Sequence, residues 1–64
     1  MSDDDVTMFG QILENRDMAI KFLPRRKPHY AAVWLPKSQI AIVHGADGPE
    51  ITMPLWLAEK KNIL

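Results

Sequence analysis

The 64-residue chain contains no cysteine, no long apolar run and no excess of charge of either sign. The lack of cysteine excludes disulfides and thiolate zinc sites, which are common ways of stabilising so short a chain. No window approaches the ~18 consecutive apolar residues of a membrane-spanning helix. A domain of this size buries only about 60% of its unfolded surface, so we expect it to depend on a tightly packed core or on self-association.

The beginning of the chain is acidic, with Asp3, Asp4 and Asp5 in succession. A secretory signal has the opposite pattern, a positively charged start followed by an apolar stretch. We therefore expect a flexible acidic tail over residues 1–5, a single small domain over residues 6–64, and a cytoplasmic location.

Charge is segregated along the chain although the total is zero. Residues 1–17 carry five carboxylates and one arginine, residues 18–44 carry five cations and no carboxylate, and residues 45–64 are nearly balanced. A neutral protein with a basic middle is poorly suited to strong nonspecific binding of nucleic acid, but it can hold a local anion.

Alternating apolar residues and turn signals predict five strands. Residues 6–14 also fit a helix, because Val6, Phe9 and Leu13 have helical spacing and Asp5 could cap it; Gly10 in mid-run favours the strand. The predicted strands cover residues 6–14, 18–23, 30–35, 40–44 and 50–53.

Proline and glycine mark the boundaries of these strands. Asp47-Gly48 predicts a tight reversal, because glycine adopts the positive φ that other residues resist. Pro36 and Pro54 are each expected to end a strand. Pro54 also suits the first turn of a helix that continues to Lys61, with Asn62 as its C-terminal cap.

The predicted fold is mainly β, with about five strands and one short C-terminal helix. So many strands in so short a chain must curl to cover their apolar face, which favours a small SH3-like barrel or a twisted antiparallel sheet. Trp34 and Trp56 are expected to lie in the core and to pack near each other, since buried tryptophans contribute strongly to stability.

Catalysis is not expected. A triad of Ser38, His44 and Asp47 can be written from the sequence, but Ser38 has no elbow motif around it and so small a chain can hardly bury the pocket. His29 and His44 have no metal-ligand spacing. We therefore expect no enzyme activity, no cofactor and no metal.

The basic loop, residues 24–29, is the better candidate site. Its cations adjoin aromatic side chains, a combination that single-stranded nucleic-acid grooves use to hold the backbone and stack the bases. The alternative is a solvated loop whose charge protects the sheet from aggregation. The candidate binding residues are Arg25, Arg26, Lys27, His29, Tyr30 and Lys37.

Two stretches together resemble a group of small proteins of bacteriophages and mobile elements. The first is Trp34-Leu35-Pro36-Lys37-Ser38-Gln39-Ile40, and the second is Pro54-Leu55-Trp56-Leu57-Ala58-Glu59-Lys60-Lys61. The resemblance covers residues 17–63, and Asn62 replaces the usual glycine after Lys-Lys. It implies a small β fold of phage or bacterial origin, located in the host cytoplasm, with no catalytic residues to transfer.

Residues 40–60 also resemble the small β domain of GINS replication-complex subunits, which has a similar Pro-Leu-Trp-Leu-Ala segment entering a helix. This likeness implies only a structural analogy. The function expected from the sequence is a non-enzymatic protein-binding module, a phage or mobile-element modulator of a host factor, which could form a homo-oligomer or a subunit of a larger assembly. The alternative is a small nucleic-acid-binding β-barrel that uses residues 25–30.

Overall fold

A computed structural model describes residues 4–64 of the chain. The elements are β1 (Asp5–Asn15), β2 (Ala19–Pro24), a first 3₁₀ turn (His29–Ala31), β3 (Val33–Pro36), a second 3₁₀ turn (Lys37–Gln39), β4 (Ala41–Gly45), β5 (Gly48–Pro54) and α1 (Leu55–Lys60). The prediction of a mainly β fold with five strands and a short C-terminal helix is confirmed, and residues 6–14 are strand.

The five strands form one antiparallel sheet in the order β3-β2-β1-β5-β4. The sheet does not close, so β3 and β4 are its two edges. Of the two architectures that the sequence predicts, the open twisted sheet is therefore the one observed.

β1 is the central strand and changes partner along its length. Its first part pairs with β5 as far as Phe9, and its second part pairs with β2 from Gly10 onward. A Cβ atom at Gly10 would lie 2.1 Å from the carbonyl oxygen of Leu23 and 2.9 Å from the Cα atom of Pro24. Only glycine permits this close approach of β1 to β2.

The core lies on one face of the sheet, which we call the inner face. Ile20 and Phe22 of β2, Leu35 of β3, and Ile51 of β5 are fully buried there. Ile20 and Phe22 lie two residues apart on β2, so the period of the strand turns both to this face. The helix and the residues after it complete the core with Leu57, Ala58 and Ile63.

α1 ends in a cap that the sequence predicts. Asn62 adopts a φ of 59°, its N–H donates to the carbonyl of Glu59, and the N–H of Ile63 donates to that of Ala58. These two bonds form a Schellman motif, in which asparagine can replace the usual glycine. Among the described residues, no helix is long and apolar enough to cross a membrane.

Several predicted boundaries are shifted by a few residues. β1 begins at Asp5, so the last residue of the predicted tail belongs to the sheet; residues 1–3 of that tail lie outside the described residues. β3 begins at Val33 because Tyr30 lies in the first 3₁₀ turn, where it is 91% exposed. Helix α1 begins at Leu55, one residue after Pro54, which is its N-cap.

The expectation that both tryptophans lie in the core is wrong. Trp34 is 40% exposed and Trp56 is 53% exposed. On β3, Leu35 occupies the inward position, so the adjacent Trp34 must project from the opposite face. On α1, Leu57 and Ala58 take the buried side. Both prolines fulfil their predicted role, since β3 ends at Pro36 and β5 ends at Pro54.

Candidate interaction surface on the outer face of the sheet

The face opposite the core, which we call the outer face, carries three large apolar side chains. Phe9 of β1 is 42% exposed, Trp34 of β3 is 40% exposed, and Val43 of β4 is 56% exposed. Each follows or precedes an inward-facing residue on its own strand, as the two-residue period of a strand requires. The sheet therefore presents apolar side chains on both sides.

Strand register aligns these side chains into rows. Phe9 stands opposite Glu50, and Glu50 stands opposite Val43, so one row crosses β1, β5 and β4. The next row on this face lies nearer the start of β4 and pairs Thr7 of β1 with Thr52 of β5. The hydroxyl oxygens of these two threonines lie 2.9 Å apart. The outer face is thus a mixture of apolar and polar positions.

A second mixed row lies on the other half of the sheet. The register between β1 and β2 shifts between Ile12 and Glu14. Beyond this irregularity Glu14 stands opposite Lys21, which stands opposite Trp34. Such a bulge twists the strand locally and re-aims the side chains beside it.

An arginine covers part of each of the two aromatic rings on the outer face. The guanidinium carbon of Arg16 lies 5.7 Å from the centroid of the Trp34 ring, and its Nη2 donates to Oε1 of Glu14 at 2.8 Å. The guanidinium carbon of Arg25 lies 5.5 Å from the centroid of the Phe9 ring. Exposed cation–π contacts of this kind contribute about 0.5–1 kcal/mol each, so they orient the rings without burying them.

The structure brings three of the predicted basic residues together. Arg25, Arg26 and Lys27 line an open groove of 470 Å³ between the end of β2 and the β4–β5 hairpin. Nη2 of Arg25 donates to the carbonyl of Asp47 at 3.2 Å across this groove. Arg26 has a φ of 75°, which forms the turn at the start of the loop.

The other predicted site residues lie elsewhere. His29 and Tyr30 are in the first 3₁₀ turn and do not line the groove. Lys37 follows β3, and its N–H donates to the carbonyl of Met18 at the opposite end of β2. Since β2 has six residues at ~3.3 Å rise each, Lys37 is separated from the groove by about 16 Å along the sheet. The structure therefore does not bring Lys37 next to the basic loop.

The three residues of the triad that can be written from the sequence also lie apart, before, within and after β4. Ser38 is in the second 3₁₀ turn before β4, His44 is near the far end of β4, and Asp47 is in the turn that follows. The three residue steps from Ala41 to His44 alone extend about 10 Å, which exceeds hydrogen-bond reach. Within residues 4–64, no three potential metal-binding side chains cluster.

The sequence allows a binding site on an uncovered face of the sheet, but it does not indicate which side chains form that face. The alternation of Phe9 and Leu13 with Met8 and Ile12 was visible, but it does not say which set faces the core. The contact between Arg16 and Trp34 joins residues of different strands and has no local signal. The one available indication was Trp34 itself, directly beside the apolar Leu35.

Models of known protein families, curated proteins and solved structures were searched, and none of them matches the chain.

Proposed function

We propose that the protein is a non-enzymatic binding module that contacts a protein partner through the outer face of its sheet. The observation that carries this proposal is the set of three apolar side chains exposed by 40–56% on one face, two of them aromatic rings with an arginine stacked on each. Exposed apolar surface on a folded domain marks an interaction site when it is arranged as a patch.

The chemistry of the outer face favours a protein over a nucleic acid. Tryptophan and arginine are the residues that most often dominate the binding energy of protein interfaces. Glu14 and Glu50 lie in the same rows as the exposed apolar side chains, and their carboxylates would repel a phosphate backbone. Protein interfaces tolerate such charges at their rim, where water still reaches them.

The mixed charge of the surface also sets what the partner should look like. Arg16 lies over the ring of Trp34, and Lys21 stands opposite Trp34 on the neighbouring strand. Glu14 stands opposite Lys21 in the same row. A partner that inserts an apolar side chain beside Trp34 and offers a carboxylate to Lys21 would satisfy both kinds of group. The proposed partner is therefore a folded protein with an apolar contact surrounded by polar groups.

The resemblance of residues 17–63 to small phage and mobile-element proteins supports an origin of that kind. Proteins of this size that act without catalysis act by contact. The proposed role is accordingly the modulation of a host factor in the host cytoplasm.

A second candidate function is the binding of single-stranded nucleic acid at the basic loop. The specific observation in its favour is that Arg25, Arg26 and Lys27 line one open groove. Against it, Arg25 already stacks on Phe9 and bonds the carbonyl of Asp47. Tyr30, which follows the loop, lies outside the groove. The groove therefore does not combine the cations with the aromatic ring of Tyr30, on which a base could stack.

The first proposal is tested by capture of proteins from host lysate with three versions of the protein. These are the natural chain, Trp34→Ala, and Trp56→Ala as the matched control, because Trp56 is similarly exposed but lies on α1. We expect a nuclease-resistant partner that is retained by Trp56→Ala and lost with Trp34→Ala. Equal capture by both variants would rule out the outer face as the binding surface.

The second candidate is tested with a single-stranded oligonucleotide at low salt. Replacement of Arg25, Arg26 and Lys27 together by alanine would abolish binding if the groove holds phosphates, and binding by the natural chain would weaken steeply as salt rises. No difference between the natural chain and the triple variant would eliminate this function.

A further inference from the structure

We propose that β4 is a self-association edge, and that two copies of the chain pair antiparallel through it about a two-fold axis at Val43. This inference rests on different observations from the function proposed above, and it uses Val43, which also belongs to the outer face. It depends on the chemistry of the two sheet edges and on the hydrogen-bond pattern of the β4–β5 hairpin.

The two edges of the sheet differ in their protection. β3 has only four residues and ends at Pro36, which has no N–H to offer a partner strand. Short strands and prolines are the usual means by which proteins block edge pairing. β4 contains Ala41-Ile42-Val43-His44-Gly45, with no proline and no Lys, Arg, Asp or Glu. Within residues 4–64, β5 is the only strand that pairs with β4.

Pro49 identifies which β4 groups point toward the free edge. His44 stands opposite Pro49, which has no N–H, so this pair cannot exchange two hydrogen bonds. Because bonded and non-bonded pairs alternate along an antiparallel ladder, the bonded pairs are Gly45–Gly48, Val43–Glu50 and Ala41–Thr52. The N–H and C=O groups of Ile42 and His44 therefore point away from β5.

The outward N–H and C=O groups of one β4 strand are complementary to the same groups of a second copy. Two copies related by a two-fold axis at Val43 place Ile42 of one opposite His44 of the other, and the reverse. Each such pair can exchange two hydrogen bonds, so four form in total. Val43 then stands opposite its own copy as a non-bonded pair, in which side chains approach most closely.

The side chains permit this register. Val43 is 56% exposed, and four of the five β4 residues are exposed. The strand has no Lys, Arg, Asp or Glu, so this register places none of these charged side chains opposite one another. A second copy thus fits the edge better than a strand of arbitrary sequence, because its register and charge are matched by symmetry.

The inference is tested by measuring mass and amide exchange as functions of protein concentration. Light scattering should rise from 7.3 kDa toward twice that mass between about 10 µM and about 1 mM, the range in which a small interface populates both states. The amides of Ile42 and His44 should become protected from exchange over that range. The amide of Val43, which faces β5, should be protected at every concentration.

Two pairs of variants locate the interface. Val43→Lys opposes two ammonium groups at the axis and should keep the protein monomeric, while Val43→Thr should still dimerise. His44→Pro removes the outward N–H of residue 44 without removing a hydrogen bond to β5 and should weaken dimerisation at least tenfold, while His44→Ala, which keeps that N–H, should not. Circular dichroism verifies that each variant is folded. A natural chain that stays at 7.3 kDa, or a Val43→Lys protein that still dimerises, would overturn the proposal.

Discussion

The inner and outer faces of the sheet both carry large apolar side chains, but these side chains serve different purposes. Adjacent residues on β3 show this most simply: Leu35 is fully buried, whereas Trp34 beside it is 40% exposed. On β5 and β4 the contrast recurs, because fully buried Ile51 faces Ile42 while exposed Val43 lies on the other side. Apolar residue type alone thus does not identify the core; the face of the sheet to which each side chain points does.

The two faces also differ in what covers their aromatic rings. Phe22 on the inner face is enclosed by other apolar side chains of the core. Phe9 on the outer face is covered in part by the guanidinium of Arg25. An arginine can leave the ring when a partner arrives, whereas core side chains cannot. This difference separates a face that maintains the fold from a face that is available for contact.

The largest expected effect is that of shortening Phe22, which should unfold the domain. Phe→Ala in a core costs about 3–5 kcal/mol, as much as the total stability of a domain this small. Phe9→Ala is the matched control and should reduce the free energy of unfolding by only about 1 kcal/mol, the loss of a partly exposed ring. Urea denaturation followed by circular dichroism measures both, and equal losses would contradict the assignment of the faces.

Gly10→Ala should have the next largest effect, because its Cβ would lie 2.1 Å from the backbone oxygen of Leu23. The strands must separate, and we expect a loss of about 1–3 kcal/mol in the free energy of unfolding. At Gly45 the closest atom to an added Cβ is Oε2 of Glu50 at 2.9 Å, at the end of a flexible side chain. Gly45→Ala should therefore be tolerated better. If thermal denaturation ranks the two variants in reverse order, the account of β1 changing partners at Gly10 fails.

Asn62→Ala should cost about 1 kcal/mol, since alanine resists the left-handed conformation that Asn62 adopts at the end of α1. The same position should accept Asn62→Gly without loss. Chemical denaturation compares the two variants directly. A stable Asn62→Ala protein would show that the cap does little to hold Ile63 against the inner face.

The smallest expected effect is that of Arg16→Met, which removes the cation over Trp34 and the ion pair with Glu14. Both contacts are exposed, so we expect a loss below about 1 kcal/mol. The change should appear instead in Trp34 fluorescence, measured in a Trp56→Phe background. An unchanged spectrum would indicate that Arg16 does not cover the ring in solution.

Local signals in the sequence sufficed for much of the fold. The alternation around Ile20 and Phe22, the reversal at Asp47-Gly48, and the cap at Asn62 each depend on a few neighbouring residues. The positions of the strands follow from such signals, with errors of a few residues at their ends.

The choice of face could not be predicted in the same way. β1 and β3 are apolar on both sides, so their local pattern does not decide whether Trp34 or Leu35 faces the core. That decision depends on pairing between distant strands, including the change of partner at Gly10. For the candidate site, composition located the cations of the basic loop. It could not show that Arg25 folds back on Phe9 or that Lys37 lies at the other end of the sheet.

The central claim is that the inner face maintains the fold and the outer face binds. Its most direct test places a photoreactive amino acid at position 34 and, separately, at position 56, followed by irradiation in nuclease-treated host lysate. The account predicts a specific protein adduct from position 34 and none from position 56. The same adduct from both positions, or an adduct from position 56 alone, would contradict it.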